Sequence, residues 1–324
     1  MTIRPFVWLT VALLAAGCGA GSGKKAGSDK ETAALRDFPY VQVPVVYSNN
    51  AKGREAYVAE HFWDRFFSGA EGTYCDSVTV CGVPGAKFEE AFATYITLLQ
   101  NMEIYQGKEH VYALFDKIEA CQKADTLSNV FEYFNRMMEH YLFDPNSPMR
   151  DEDLYQPYVV RLASSSLTDP DLVPAYAADA VLCGLNAINT PAADFVYRDA
   201  AGRSHRLYDT EARNTLIFFS NPGCKACRDI TARLKAIPGL SEKVASGRLA
   251  ILSIYIDEDI AEWRKSISEY PSDWIVGYDP TQAIRGNLLY HIRAIPSLYL
   301  LDWEKKVLMK DAPEERLYKV LESL

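Results

Sequence analysis

The sequence has 324 residues, of which 48% are hydrophobic and 24% are charged. This length and composition are typical of a globular protein with two domains of about 100 to 200 residues each. The net charge is −9, and lysine and arginine form no long run. Because binding to phosphates requires a basic stripe, we expect no nucleic-acid partner.

The N-terminus has the features of a bacterial secretion signal. Arg4 precedes an apolar run over residues 6–16, which is too short for a membrane-spanning helix of about 20 residues. The residues Ala15-Ala16-Gly17-Cys18 resemble the bacterial lipobox, in which the cysteine is acylated, although leucine is commoner than alanine at the position of Ala15. The resemblance implies a signal peptide over residues 1–17 and a lipid on Cys18. Secretion without a lipid is the alternative.

Residues 18–35 are rich in Gly, Ser and Lys, which predicts a flexible tether that cannot bury apolar surface. With lipid on Cys18, this tether would hold the folded part close to a membrane. We therefore expect a lipid-anchored protein of the cell envelope that faces the periplasm. The absence of an acidic residue directly after Cys18 weakly favours the outer membrane.

Residues 36–190 are predicted to form a helical domain. Apolar residues recur at helical spacing in three segments, and we interpret each stripe as part of the core. The stripes are Phe88, Phe92, Tyr95, Ile96, Leu99 and Met102; Val111, Leu114, Phe115 and Ile118; and Leu127, Val130, Phe131, Phe134, Met137, Met138 and Tyr141. The sequence Asp-Pro-Asn-Ser-Pro at 144–148 ends the third helix, because prolines and turn residues cannot continue it.

Three parts of this region carry a resemblance to a known family. Residues 62–66 (Phe-Trp-Asp-Arg-Phe), the helix ending at 141–142, and residues 146–155 (Asn-Ser-Pro-Met-Arg-Asp-Glu-Asp-Leu-Tyr) resemble an uncharacterised helical domain. That domain precedes thioredoxin-like modules in Bacteroidetes lipoproteins, and the resemblance implies no activity. We expect Asn146, Ser147 and Arg150 to cap the turn rather than to bind a ligand.

From residue 191 onward, segments typical of strands and helices alternate, which predicts an α/β domain over residues 191–324. The chain as a whole is therefore expected to be an α+β protein of two domains. An opening hairpin is predicted from residues 193–199 and 206–208. The other predicted strands are 216–220, 249–256, 297–301 and 306–309, and the predicted helices are 225–237, 260–270, 282–290 and 314–324.

The segment 216–228 (LIFFSNPGCKACR) combines a buried strand, a turn and a Cys-x-x-Cys motif at the start of a helix. The unpaired N–H groups and the dipole at a helix N-terminus favour a thiolate over a thiol. We expect Cys224 to be the nucleophile, and Cys227, one turn further along, to resolve the mixed disulfide.

A purely structural disulfide and a zinc site are the alternatives for this cysteine pair. A disulfide that closes so short a loop gains little entropy. Tetrahedral zinc needs four ligands, and the sequence has neither a second Cys-x-x-Cys nor a suitably spaced histidine pair. We expect no metal and no other cofactor.

A second motif, Ile295-Pro296, leads directly into the predicted strand 297–301. Together with the Cys-x-x-Cys motif, it makes the span 192–324 similar to the thioredoxin-like family, in particular the envelope branch typified by TlpA and ResA. The resemblance implies a cis proline at position 296. It also implies that Ile295, Pro296 and Gly223 line the side of the site that receives the substrate.

The sequence departs from that family at three positions near the cysteines. Gly223 replaces the usual tryptophan, Ala226 replaces a common proline, and Phe218 replaces an acid that some members bury. The general base therefore stays open, with Asp229 as a candidate by proximity. Lys225 either stabilises the thiolate or points into water.

Four further cysteines, Cys75, Cys81, Cys121 and Cys183, have no assigned role. Four cysteines allow three pairings, and the sequence does not choose among them. Cys75 and Cys81 flank a short loop and are one possible pair, while Cys121 continues the apolar face of a helix.

These features predict an envelope thiol-disulfide oxidoreductase that reduces or isomerises disulfides of client proteins and depends on an unidentified electron donor. The alternative is a lipid-anchored binding or scaffold protein whose thioredoxin-like domain is redox-inactive. Peroxide reduction is disfavoured, because Asn221 and Ile217 stand where peroxidases have threonine or serine and proline.

Overall fold

The structure, a computed structural model, describes residues 35–69 and 78–324. The predicted signal peptide, Cys18, all of the predicted tether but its last residue, and Cys75 lie outside the described residues. Within the two described ranges, no helix is both long enough and apolar enough to cross a membrane.

The N-terminal part of the described chain is helical, as the sequence predicted. A hairpin of β1 (Thr79–Val80) and β2 (Val83–Pro84) precedes the third helix. A 3-10 turn at Val45–Tyr47 and a π-helical turn at Glu139–Phe143 complete this part. Its helices are α1 (Ala51–His61), α2 (Asp64–Ser68), α3 (Gly85–Gln100), α4 (Ile104–Ala124), α5 (Val130–Met138), α6 (Glu152–Leu162) and α7 (Val173–Cys183).

Aromatic side chains fill the core between these helices. Trp63 packs edge-on against Phe134 with ring centroids 5.0 Å apart, and Phe88 contacts Phe134 at the same distance. Most residues of the three apolar stripes are buried, which confirms their interpretation as core. Met102, Phe131 and Tyr141 are partly buried against this core, and Leu127 is 88% exposed. Leu127 lies before α5, where its backbone N–H donates to the Asp125 carboxylate in a local turn.

The turn after α5 was predicted from its prolines, and the helical run ends there at Phe143. The Ser147 hydroxyl donates to the carbonyl of Tyr141 and accepts from the backbone N–H of Met149. The backbone N–H of Asn146 donates to Asp144. The capping role of Ser147 is therefore confirmed, whereas at Asn146 the capping acceptor is the carboxylate of Asp144. Arg150 donates to the carbonyl of Ser147 at 3.4 Å and, at shorter distances, to the carbonyls of Asp311 and Ala312.

A seven-stranded mixed sheet follows the helices, with strand order β4-β3-β7-β6-β5-β8-β9. The two neighbours of β6 run parallel to it, and the other adjacent strands pair antiparallel. The strands are β3 (Val196–Asp199), β4 (Ser204–Arg206), β5 (Asn214–Phe219), β6 (Leu249–Tyr255), β7 (Ile275–Tyr278), β8 (Ser297–Leu301) and β9 (Val307–Lys310). The helices of this part are α8 (Lys225–Ala236), α9 (Leu240–Ala245), α10 (Ile260–Ser266), α11 (Ala283–Gly286) and α12 (Glu314–Ser323).

Both faces of the central strands are covered, and most residues of these strands are apolar. Along β5, Leu216 and Phe218 contribute to one apolar cluster, and Ile217 and Phe219 contribute to the cluster on the opposite face. This alternation follows the two-residue period of a strand. The α+β architecture predicted from the sequence is therefore confirmed.

The structure departs from the predicted elements in four places. The strand β7 and the short helix α9 were not predicted. The helix predicted over 282–290 is a single turn, because Gln282 and Leu288, at its two sides, have positive φ values of 56° and 51°. The second limb of the opening hairpin is β4, and residues 207–209 form a 3-10 turn instead.

Candidate functional site

The cysteine motif lies on a tight turn between the end of β5 and the start of α8. The backbone N–H of Cys224 donates to the carbonyl of Asn221 at 3.3 Å, which closes a four-residue turn. Pro222 and Gly223 occupy its centre, and Gly223 has a φ of +72°. A side chain is disfavoured in that left-handed conformation. Glycine therefore suits this position of the turn.

Cys224 forms the N-cap of α8. Its sulfur accepts a hydrogen bond from the backbone N–H of Cys227 at 3.1 Å. The two cysteines are joined in a disulfide, with their Cα atoms 5.3 Å apart. Cys224 is partly exposed, whereas Cys227 is only 3% exposed. The side chain that the sequence predicts as the nucleophile is therefore the accessible one of the pair.

The sheet brings the proline motif to the same end as the cysteines. In the antiparallel register of β5 and β8, Phe219 pairs with Ser297. The Ile295–Pro296 peptide bond, directly before Ser297, is cis, as the resemblance implied. Ile295 packs against the apolar cluster that contains Cys227 and is flanked by Cys224. The two motifs, far apart in sequence, therefore share one end of the sheet.

Phe218 occupies the position at which some members of the resembling family bury an acid. Phe218 is fully buried in the cluster that holds Cys227, and its ring lies 6.3 Å from that of Trp274. A cluster of hydroxyl groups lies just after the end of β5 instead. Ser220 is hydrogen-bonded to Ser253 and to the hydroxyl of Tyr270, each at 2.9 Å.

The charged residues at the start of α8 pair with each other. Lys225 contacts Asp229 at 2.6 Å, and both side chains are more than half exposed. The hydrogen bond from Lys225 lowers the pKa of Asp229 and outweighs the opposing effect of burial. A carboxylate with a lowered pKa is a weaker base, so this pair favours the solvated interpretation of both residues.

A cavity of about 300 Å³ opens beside the disulfide. It is bounded by the turn, by one face of α8, and by the segment after α10. Lining residues include Pro222, Gly223, Cys227, Thr231 and Tyr270. Charged side chains of Arg228, Lys235 and Glu269 also line the cavity, so the lining is mixed rather than purely apolar.

The comparisons with known proteins agree with this geometry. The family model "Domain of unknown function (DUF5106)" matches residues 17–174. A thioredoxin-like protein from Bacteroides caccae ATCC 43185 is 32% identical with a TM-score of 0.75, and the alignment covers 89% of this chain and 99% of that chain. The chain belongs to the thioredoxin-like proteins. Its N-terminal helical region is the uncharacterised domain that the resemblance indicated.

Two further solved structures each match less than half of the chain. One is the C-terminal domain of an uncharacterised protein from Bacteroides fragilis NCTC 9343, at 41% identity, covering 42% of this chain and 97% of that chain with a TM-score of 0.41. The other is the thioredoxin domain of a thiol-disulfide oxidoreductase from Bacteroides vulgatus, at 27% identity, covering 42% and 96% with a TM-score of 0.37. No curated protein matches the sequence.

The remaining described cysteines lie in the helical part. Cys81 and Cys183 are buried and Cys121 is partly buried. Burial raises the pKa of the Cys183 thiol to about 12, so this thiol is unreactive at neutral pH. The pairing of Cys75 with Cys81 stays a prediction, because Cys75 lies outside the described residues.

The sequence reasoning missed a group of buried charges behind the proline motif. Glu152 and Asp311 are each less than a tenth exposed, and they lie among His291, Arg293 and Lys310. The sole signal in the sequence is the Asp-Glu-Asp run at 151–153. Such a run at a helix start is ordinarily solvated, so the pattern alone gave no reason to expect burial.

Proposed function

We propose that this protein is a thiol-disulfide oxidoreductase that reduces or isomerises disulfide bonds in client proteins through Cys224 and Cys227. The observation that carries the proposal is the asymmetry of the pair. The accessible sulfur of Cys224 caps a 12-residue helix and accepts the N–H of Cys227, whose own sulfur is buried behind it. That arrangement stabilises a thiolate on Cys224.

In the proposed reaction the reduced protein supplies two electrons. The Cys224 thiolate attacks one sulfur of a client disulfide, forms a mixed disulfide and releases the other client sulfur as a thiolate, which takes a proton from water. Cys227 then loses its proton to solvent and attacks Cys224. The second client thiolate leaves, the Cys224–Cys227 disulfide forms, and a thiol donor must reduce it again.

The client chain is proposed to rest on Ile295, Pro296 and Gly223. These residues flank the cysteines at one end of the sheet, and the cavity beside Cys227 offers room for a client side chain. The cell envelope is the proposed location, with Cys18 acylated and residues 18–35 as tether. An oxidising compartment supplies proteins whose disulfides need such an enzyme.

The test is an equilibrium redox titration of the protein in glutathione or dithiothreitol buffers, comparing wild type with Cys224→Ser. We expect a reversible two-electron transition that the substitution abolishes. A potential near about −270 mV would indicate a reductase, and one near about −120 mV an oxidant. Cys183→Ala is the matched control, because it removes a buried thiol of raised pKa and should leave the transition in place.

The alternative is a lipid-anchored scaffold protein with a redox-inactive thioredoxin-like domain. That function would be favoured by a Cys224 covered by the helical part, whereas the structure has Cys224 partly exposed. Absence of any transition that depends on Cys224 would remove the oxidoreductase proposal and leave the scaffold.

A further inference from the structure

A buried carboxylate of the helical region reaches into the thioredoxin-like part. Glu152 lies at the start of α6, and its side chain is 1% exposed. Its carboxylate oxygens lie 2.9 Å from Nδ1 of His291, 2.6 Å from Nε of Arg293, and 3.0 Å from Nζ of Lys310. A single helical-region residue therefore contacts three cationic or titratable side chains of the sheet domain.

A second carboxylate extends this network toward the strand after the proline motif. Asp311 lies 3.3 Å from Nη2 of Arg293, accepts a hydrogen bond from the hydroxyl of Ser297 at 2.9 Å, and lies 3.7 Å from Nε of Arg150. Arg293 therefore contacts both acids. Ion pairs of this kind in a water-poor environment hold their partners in one arrangement.

The ion-pair network of Glu152 and Asp311 contacts the chain on both sides of the proline motif. We call residues 291–296 the proline loop. His291 and Arg293 at its start are held by Glu152, and Ser297 directly after its end is held by Asp311. The loop is therefore anchored on both sides of Ile295 and Pro296. It lies at the same end of the sheet as the cysteines.

The helical region also contacts the backbone that directly follows β9, next to the proline loop. Arg150 donates to the carbonyl oxygens of Asp311 and Ala312 at 2.9 and 3.1 Å. The ring of Phe143 lies 4.7 Å from the guanidinium of Arg293. Lys310 also donates to the carbonyl of Cys183 at 2.7 Å. These contacts make the helical region and the proline loop parts of one interlocked interface.

The same cluster offers ligand atoms of Glu152, Cys183 and His291 within 4.8 Å of one another. Two cations, Arg293 and Lys310, already contact the Glu152 carboxylate. Their charge opposes the binding of a metal cation, so positioning of the loop accounts for the cluster better than metal binding does.

We infer that the helical region is a clamp that positions the proline loop for client binding, with Glu152 as its positioning residue. This inference rests on the proposed oxidoreductase function for its kinetic consequence, though not for its structural one. Glu152 contacts neither Cys224 nor Cys227. Its loss should leave the chemistry of Cys224 intact and weaken the docking of a client backbone on the loop.

The test compares Glu152→Gln with Asp153→Asn in the full-length protein. Asp153 is the matched control: it is buried on the same helix, 2.8 Å from Lys108, which also belongs to the helical region. For reduction of a protein disulfide such as insulin, we expect Glu152→Gln to raise KM by about tenfold, since small misplacements at a site cost up to about a hundredfold. The rate of Cys224 alkylation by iodoacetamide and the redox potential should match wild type.

Hydrogen exchange provides a readout that needs no activity. Amides of β8 (Ser297–Leu301), which directly follows the proline loop and is hydrogen-bonded on both sides, should exchange faster in Glu152→Gln than in wild type, and by a larger factor than the amides of β6. Asp153→Asn should exchange like wild type. If the protein proves redox-inactive, this measurement alone decides the inference. Faster exchange supports the clamp, and unchanged exchange overturns it.

Arg150→Ala is the second variant, to be used if Glu152→Gln does not fold. It removes the donor to residues 311 and 312 without removing a carboxylate from the network, and we expect the same rise in KM and the same local increase in exchange. A folded variant with unchanged KM and unchanged exchange would overturn the inference. A rise in KM accompanied by a slower alkylation of Cys224 and a shifted redox potential would also overturn it, since together they indicate general damage.

Discussion

Replacing Glu152 by glutamine is expected to make the stability of the protein less sensitive to acid. Burial alone would raise the pKa of Glu152, but the contacts with His291, Lys310 and Arg293 outweigh it and lower the pKa to about 2. A carboxyl group with a lowered pKa contributes stability that is present above its unfolded value of 4.5 and is lost as the pH falls toward 2.

The magnitude follows from the same two values. One pKa unit corresponds to about 1.36 kcal/mol. The interval from 4.5 to about 2 then gives about 3 kcal/mol of unfolding free energy that depends on the charge of Glu152. Glutamine keeps the shape and removes the charge, so the variant should be less stable than wild type by about that amount at pH 7.

The assay is urea unfolding followed by tryptophan fluorescence, at several pH values from 7 to 2.5, for both proteins. The gap in unfolding free energy should stay constant above about pH 5 and shrink below it. Burial raises the pKa of Asp311 and of Asp151, which gives an effect of opposite sign. The raised pKa of Asp151 does not depend on Glu152, so the contribution of Asp151 cancels in the difference. The charge of Glu152 helps to raise the pKa of Asp311, so the destabilising effect of Asp311 is smaller in the variant and offsets part of the gap at pH 7. A gap that is unchanged or wider at pH 3 would refute the reasoning.

Three further predictions concern the site and the core. Cys227→Ser should trap a mixed disulfide between Cys224 and a client protein, visible by non-reducing electrophoresis and mass spectrometry; absence of any adduct would contradict the assigned order of attack. Gly223→Ala should lower the free energy of unfolding by about 1 to 2 kcal/mol, because its φ of +72° is left-handed, and equal stability in urea would argue against that conformation. Phe134→Ala should cost about 3 to 5 kcal/mol, because Phe134 is fully buried among aromatic rings; a loss below about 1 kcal/mol would contradict the packing.

The cysteine site could be predicted largely from local sequence. The strand 214–219, the Pro-Gly turn and the helix from Lys225 follow one another within a few residues, and each is governed by short-range interactions. The Ile295-Pro296 motif was recognisable because it leads directly into a strand. Its position beside the cysteines followed only from the family resemblance, and the register of β5 with β8 now supplies the geometric reason.

The sequence pattern was wrong or silent at β7 and at Leu127, for two different physical reasons. The strand β7 has four residues, includes Gly277, and is held between β3 and β6, so its own pattern is weak. Leu127 has the spacing of the third apolar stripe. It nevertheless lies in a loop, because α4 ends at Ala124 and the Asp125 side chain accepts a hydrogen bond from the backbone N–H of Leu127 in a local turn. Pairing with neighbouring strands determines β7, and a local turn determines the position of Leu127, whatever the spacing of apolar residues in the sequence.

The sequence alone determined the helical stripes, the alternating α/β part and the cysteine motif. Each depends on the periodicity of apolar residues or on neighbours in the chain. Only the tertiary structure decided the role of Glu152. As sequence, residues 151–153 are three acids at a helix start, where solvation is the usual outcome. The burial of Glu152 depends on Arg293 and Lys310, which are distant in sequence and supply the opposing charge that a carboxylate needs inside a protein.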